Sequence, residues 1–222
     1  MYLGYNHREV KVIEFGNYPQ EVEEHKISLL ERLKRMIYGR PSNRQPSKKQ
    51  PIKWIVLEAN ENEALLISLY GLDCKEYDNH KDSNDITWEN CDLRKWLNDD
   101  FLKYAFSEEE IKRIKFSELK NDDNPECDTK GGNDTTDRIF CLSINEVEQY
   151  FSSDDARKCK PTAYAVKQHA FVEDGYCDWM LRSPGMTNFH VAMYNVDETC
   201  PYGSVVDNPN TIRPALRIIC NQ

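Results

Sequence analysis

The chain has 222 residues, of which 39% are hydrophobic and 30% are charged, with a formal net charge of −9. This length is long for one ordinary domain and short for two, so we expect a single domain over residues 1–222 that carries an insertion. Twelve Tyr, eight Phe and four Trp supply apolar area for a core, which argues against a wholly disordered chain. The negative charge argues against general nucleic-acid binding, because a phosphate backbone attracts a positive face.

The sequence contains no pattern typical of a membrane-spanning helix or of a structural metal site. No apolar run reaches the roughly 18 residues that a membrane-spanning helix needs. The first residues lack the charged start, apolar stretch and cleavage site of a signal peptide, so we expect a cytoplasmic protein, or a surface or secreted one if a leader has been removed. The eight cysteines are scattered without a CxxC pair, which favours reduced thiols over disulfides and makes a structural zinc site improbable.

The first strand and the insertion come next in chain order. Residues 9–15 alternate between polar and apolar, which predicts a strand, and Gly16–Pro19 reads as the turn that closes it. A basic, flexible insertion is predicted at about residues 21–50. Its first part, Val22–Ile37, has helical spacing, and the segment Arg32–Lys49 contains seven basic residues and no acidic one. A solvated insertion is the favoured reading, and a docking arm for an acidic partner is the alternative.

The middle of the chain alternates between short apolar runs and helix starts. Ile52–Leu57 and Ala64–Leu69 predict a hairpin. A helix capped by Thr87 or Asn90 should then bury one face. This face comprises Leu93, Trp96, Leu97 and Phe101. Two further helices are predicted from capping boxes, in which a Ser is followed three residues later by a Glu. These boxes are Ser107 with Glu110 and Ser143 with Glu146.

The polar segment Asn121–Asp137 is rich in carboxylates. It lacks the spacing, the turn glycine and the terminal Glu of an EF-hand. A plain surface loop is therefore favoured, calcium is the minor alternative, and no other metal or cofactor is expected.

Two landmarks stand out near the C-terminus, the segments Trp179–Gly185 and Ile212–Arg217. The residues singled out in them are Trp179, Arg182, Pro184, Gly185, Arg213 and Pro214. The aromatic ring is expected in the core, and the two arginines are expected to tie loops to a sheet through carboxylates or backbone carbonyls. Strands at both ends with helices between them predict an α+β fold in which the N- and C-terminal strands pair, with a loop-rich C-terminal half.

These landmarks resemble a bacterial family of unknown function that carries WLRSPG and RPAL signatures. Further matching segments are Phe15–Gln20, Pro51–Leu57, Thr87–Glu89, Leu93–Asn98, Ala105–Ser107 and Thr162–Ala165. The resemblance covers the whole chain apart from residues 21–50. It implies a C-type-lectin-like α+β domain with paired terminal strands and a loop-rich ligand face, but it implies no biochemical activity. Its fold group contains sugar-binding lectins, receptor-binding proteins and formylglycine-generating enzymes.

A non-catalytic binding module for a carbohydrate, protein or peptide is the leading functional hypothesis. The segment between the landmarks, residues 186–210, would form the ligand face, because aromatic rings with amides and carboxylates suit such recognition. The candidate residues are His190, Tyr194, Asn195, Asp197, Glu198 and Tyr202. The alternative is that each of these is an ordinary loop residue with no role in binding. The oligomeric state stays open.

Enzymatic activity is the runner-up. Cys177 precedes Arg182 as the reactive cysteine does in formylglycine-generating enzymes, but those enzymes bind copper with a second cysteine a few residues upstream. No cysteine lies between Cys159 and Cys177, which counts against such a cysteine oxidase. No GxSxG, HExxH or phosphate-binding glycine loop is present. The third class is a partner-docking protein that uses the basic insertion.

Overall fold

The computed structural model describes residues 11–21, 48–79 and 86–220. Short helices lie between strands that are mostly antiparallel, so the predicted α+β class is confirmed. The predicted helix Val22–Ile37 and nearly all of the basic insertion lie outside the described residues. At its C-terminal end, Lys49 and Gln50 already belong to a strand rather than to a loop.

In the described parts of the chain the strands are β1 Val12–Pro19, β2 Lys49–Ala59, β3 Glu63–Ser68, β4 Tyr70–Gly71, β5 Asp73–Lys75, β6 Ser117–Leu119, β7 Thr135–Asp137, β8 Ile139–Phe140, β9 Lys160–Pro161, β10 Val172–Glu173, β11 Tyr176–Cys177, β12 Trp179–Pro184, β13 His190–Tyr194, β14 Thr199–Val205, β15 Asn210–Ile212 and β16 Ala215–Ile219. The helices are α1 Asp92–Trp96, α2 Leu102–Ala105, α3 Glu108–Arg113, α4 Ile144–Tyr150, α5 Asp154–Arg157 and α6 Ala163–Lys167. A π-helical turn, Leu97–Phe101, joins α1 to α2.

The main sheet has five antiparallel strands in the order β1-β2-β3-β16-β8. The predicted hairpin is confirmed as β2 and β3. The predicted pairing of the terminal strands is wrong, because this hairpin lies between them. β2 pairs with β1, with Val12 opposite Ile55, and β3 offers its other edge to β16, with Leu66 opposite Leu216. The terminal strands therefore share a sheet but do not touch.

The predicted turn at Gly16–Pro19 is also wrong, because these residues continue β1. Gly16 has φ +70° and lies where the register between β1 and β2 shifts, so it forms a β-bulge. A Cβ atom at Gly16 would lie 2.4 Å from the Phe106 ring. The glycine therefore marks a close approach of ring and strand rather than the end of the strand.

Both predicted capping boxes form, at the start of α3 and of α4. The first helix begins differently from the prediction. Its N-cap is Cys91, whose sulfur accepts a hydrogen bond from the Arg94 amide. The Asn90 side chain instead accepts from the Thr87 amide and closes the turn before the helix. Neither predicted residue is therefore the cap.

A second sheet, β12-β13-β14, replaces much of the predicted loop-rich C-terminal half. The prediction failed here because the strands are irregular. The register shifts between Met180 and Pro184 and again between Val191 and Met193. Pro201 and Gly203, which suggested a loop, lie in β14 within the second of these irregularities, and Gly203 has φ +75°. One cluster of buried apolar side chains extends from the main sheet into this second sheet.

Arg213 lies where the two sheets meet. Its side chain is only 1% exposed, and its Nε and Nη1 atoms each donate a hydrogen bond of 3.0 Å, to the carbonyls of Ser68 and Arg157. The guanidinium lies 4.8 Å from the centre of the Trp179 ring and 5.4 Å from that of Phe151. The end of β3, the end of α5 and the start of β12 are therefore all fixed against one cation.

We expect Arg213→Lys to lower the free energy of unfolding by about 2–3 kcal/mol, because a lysine keeps the charge but loses the planar ring contact and one of the two bonds. The control is Arg217→Lys, whose partly exposed guanidinium pairs with Glu58 and Glu63. It should cost less than about 1 kcal/mol. Chemical denaturation measures both. Equal losses for the two variants would contradict the proposed role of Arg213.

Candidate functional site

A groove of about 380 Å³ opens beside Trp96. It is bounded by the end of β5, the start of α1, the residue after α6 and the turn before β15. The lining residues, which we call the Trp96 groove, are Cys74, Lys75, Glu76, Asn79, Asp92, Leu93, Trp96, Gln168 and Pro209.

The pattern of α1 explains why Trp96 faces this groove. Leu93 and Leu97 are fully buried in the core, which leaves Trp96 on the flank of the helix, half-buried. Its ring packs against Phe101 with centroids 5.3 Å apart. The Lys75 ammonium lies 4.4 Å from the Trp96 ring centre, a cation–π contact that holds both side chains at the rim of the groove.

Polar groups surround the ring. The Asp92 carboxylate accepts hydrogen bonds from the Asn79 amide at 3.4 Å and from Lys95 at 3.3 Å. Glu76 and Asn79 are exposed, and Gln168 is half-buried. The groove thus offers an ammonium, carboxylates and amides beside the Trp96 ring.

The base of the groove is a protonated thiol backed by a buried carboxyl group. Burial, followed by the charge of the neighbouring Asp73, raises the pKa of the Cys74 thiol to about 12. Asp73 is itself buried and accepts hydrogen bonds from the Tyr18 hydroxyl and the Cys74 amide. Burial also raises the pKa of Asp73. Cys74 is therefore protonated at neutral pH and packs as a small apolar residue, since the thiolate is the nucleophilic form.

The residues predicted for the ligand face do not converge. His190 and Tyr194 lie at opposite ends of β13. The ring of Tyr194 is fully buried 5.7 Å from that of Trp179, and its hydroxyl donates to the Asp154 carbonyl. Tyr194 is therefore a core residue and cannot belong to an exposed ligand face.

The other candidates are spread over this sheet. Asn195, Asp197 and Glu198 form the turn between β13 and β14, where the Asn195 amide donates to the Glu198 carbonyl. His190 is half-buried, and its Nδ1 lies 2.9 Å from the Thr187 hydroxyl. Tyr202 is 57% exposed on β14.

The landmark residues are bonded into the frame. Arg182 is buried and donates to the carbonyls of Cys141 and Lys120 and to the carboxylate of Glu146. Asn124 is also buried, and its Nδ2 lies within 2.8–3.3 Å of the carbonyls of Pro184, Gly185 and Pro201. The Pro–Gly turn of the first landmark is thus held by a residue that the sequence analysis placed in a plain loop.

Several carboxylates of that loop have protein partners. Asp123 pairs with Lys130 and Asp134 accepts from the Asn121 amide. Asp137 accepts from the Trp88 indole and from Arg94. Within residues 11–21, 48–79 and 86–220, no group of three or more His, Cys, Asp or Glu side chains is placed to hold a metal ion.

Sequence reasoning missed the pairing of Cys159 with Cys177. The two residues are opposite each other in an antiparallel bridge, so Cys177 has a second thiol beside it in the fold, although no cysteine lies a few residues upstream in sequence. Their separation in sequence hid the pair, and only the chain reversal between them reveals it. Both side chains are buried in this structure.

Comparison with protein-family profiles assigns the chain to a family. The profile of a family described as "Domain of unknown function (DUF6273)" matches residues 61–219. The chain belongs to the DUF6273 family. The match begins in the turn before β3, and every lining residue of the Trp96 groove lies inside it.

Comparisons with curated proteins and with solved structures give no match. The C-type-lectin-like grouping therefore stays a prediction for this DUF6273 chain. Among the described residues, no helix is both long and apolar enough to span a membrane.

The burial of Tyr194 leads to a stability prediction. Tyr194→Ala should lower the free energy of unfolding by about 3–5 kcal/mol, because it empties a packed site beside Trp179. Tyr202→Ala, on the neighbouring strand, should change it by less than about 0.5 kcal/mol, because the ring is exposed. Urea denaturation of the two variants distinguishes a core from a surface tyrosine, and a neutral Tyr194→Ala would contradict this placement.

Proposed function

We propose that this DUF6273 chain is a non-catalytic ligand-binding module and that the Trp96 groove takes a short carbohydrate. The observation that carries the proposal is the half-buried Trp96 indole in a recess surrounded by hydrogen-bonding side chains. Lys75, Asn79 and Gln168 supply donors, and Glu76 and Asp92 supply acceptors. The module predicted from the sequence is kept, but its site moves away from residues 186–210, apart from Pro209.

Carbohydrates suit such a surface because a sugar ring has an apolar face of C–H groups and an edge of hydroxyls. The apolar face packs on an aromatic ring, and the hydroxyls bond to carboxylates and amides. The groove volume of about 380 Å³ lies within the range of about 300–1,000 Å³ that is usual for small-ligand sites. A peptide ligand is the alternative that the first experiment must separate.

The first experiment is a thermal-shift screen of the full chain against neutral and acidic oligosaccharides, peptidoglycan fragments, short peptides and calcium. A ligand that binds only the native state stabilises it by about 2.7 kcal/mol at a hundred times its Kd. We expect an oligosaccharide to raise the melting temperature. If only peptides do so, the carbohydrate assignment is wrong, and if no compound does so, the binding-module proposal fails.

The site itself is tested by substitution. Glu76→Ala and Gln168→Ala should each weaken the binding of the best oligosaccharide about tenfold, which corresponds to about 1.4 kcal/mol. Their melting temperatures should change little, because neither side chain belongs to the core. Titration calorimetry gives the affinities.

The matched control is Tyr202→Ala, which removes an exposed aromatic ring outside the groove. This variant should bind with the affinity of the unsubstituted chain. If Tyr202→Ala weakens binding while Glu76→Ala and Gln168→Ala do not, the ligand lies on β14, as the sequence analysis expected, and the groove is wrong.

A further inference from the structure

The pair of Cys159 and Cys177 has the geometry of a disulfide site. The Cys177 amide donates to the Cys159 carbonyl at 2.8 Å, and the Cys177 sulfur lies 3.3 Å from the same oxygen. Residues opposite each other in antiparallel strands have Cα atoms about 4.5–5.5 Å apart. That distance lies within the range of about 4.4–6.8 Å over which disulfides form. The two cysteines are therefore close enough in the fold for a disulfide to join them.

The surroundings prepare one of the two thiols to react. Burial raises the pKa of Cys159, but the hydrogen bond from the Cys177 thiol and the charge of Arg213 outweigh it and lower that pKa below its usual value. The same hydrogen bond, together with burial, raises the pKa of Cys177. Cys159 is thus the attacking thiolate, and Cys177 remains the protonated partner until the second step.

The hairpin of β10 and β11 lies beside this buried pair, because Cys177 is the last residue of β11. The hairpin is held by only two residue pairs, and Phe171–Gly175 are all exposed. Short elements with few buried contacts open locally at small cost in free energy. Opening of this hairpin would move Cys177 and give small reagents access to Cys159.

We propose that Cys159 and Cys177 form a disulfide by exchange with a low-molecular-weight disulfide of the glutathione class. The Cys159 thiolate attacks one sulfur of that disulfide, breaks its S–S bond and releases one thiolate. Cys177 then gives up its proton and attacks the Cys159 sulfur, which releases the second thiolate. The protein loses two electrons and two protons overall, and the small disulfide becomes two thiols.

The bond would close the segment 160–176, which carries β9, α6 and Gln168. The disulfide would therefore restrain Gln168, a lining residue of the Trp96 groove, relative to β11. The disulfide proposal stands on the geometry of the cysteine pair and is independent of what the groove binds.

The test equilibrates the full chain near neutral pH with mixtures of reduced and oxidised glutathione. Free thiols are then trapped with an alkylating reagent in denaturant, and the peptides are mapped by mass. In the more oxidising mixtures we expect two thiols to be lost together and a linked peptide joining Cys159 to Cys177. If both stay alkylatable, form only separate glutathione adducts, or link to other cysteines instead, the proposal is overturned.

Variants and stability supply the second readout. The melting temperature of the unsubstituted chain should rise on oxidation and fall again with a reductant, because the bond constrains the unfolded chain. Cys127→Ala should keep this response, and the double variant Cys159→Ala/Cys177→Ala should lose it. A melting temperature that falls on oxidation would show that the bond does not fit the native fold and would overturn the proposal. The peptide map of the unsubstituted chain decides the matter even if the double variant does not fold.

Discussion

The buried guanidinium of Arg213 is the contact on which the arrangement of the two sheets depends. Its contacts are two backbone carbonyls and two aromatic faces, which stabilise the charge of the guanidinium. These partners come from the end of β3, the end of α5, the start of β12 and Phe151. Because the Arg213 side chain contacts all four, displacing any of them removes a favourable contact from a charge that is buried among apolar side chains.

This constraint reaches the Trp96 groove through the chain next to Arg213. The residue directly follows β15, which pairs with β5 and places Thr211 opposite Cys74. β5 in turn ends at Lys75, the residue whose ammonium lies over Trp96. The pairing of β5 with β15 therefore positions the floor and one rim of the groove before a ligand binds, and a preformed site lowers the entropic cost of binding.

Local signals in the sequence predicted local structure well. The two Ser–Glu capping boxes and the β2–β3 hairpin form as expected, because their determining contacts lie within a few residues of each other. The features that could not be predicted depend on contacts between residues that are far apart in the sequence. Gly16 continues a strand because the Phe106 ring packs against it, and Tyr194 is buried because Trp179 lies beside it. The groove draws on β5, α1, the end of α6 and Pro209, and no spacing in the sequence relates these parts to one another.

The central claim is that ligands bind at the Trp96 groove rather than on the sheet β12-β13-β14. Hydrogen exchange of the full chain, with and without a saturating oligosaccharide, tests it most directly. The account predicts slower amide exchange at residues 74–79, 92–96 and 168, with no change at residues 186–205. Protection confined to residues 186–205 would contradict it.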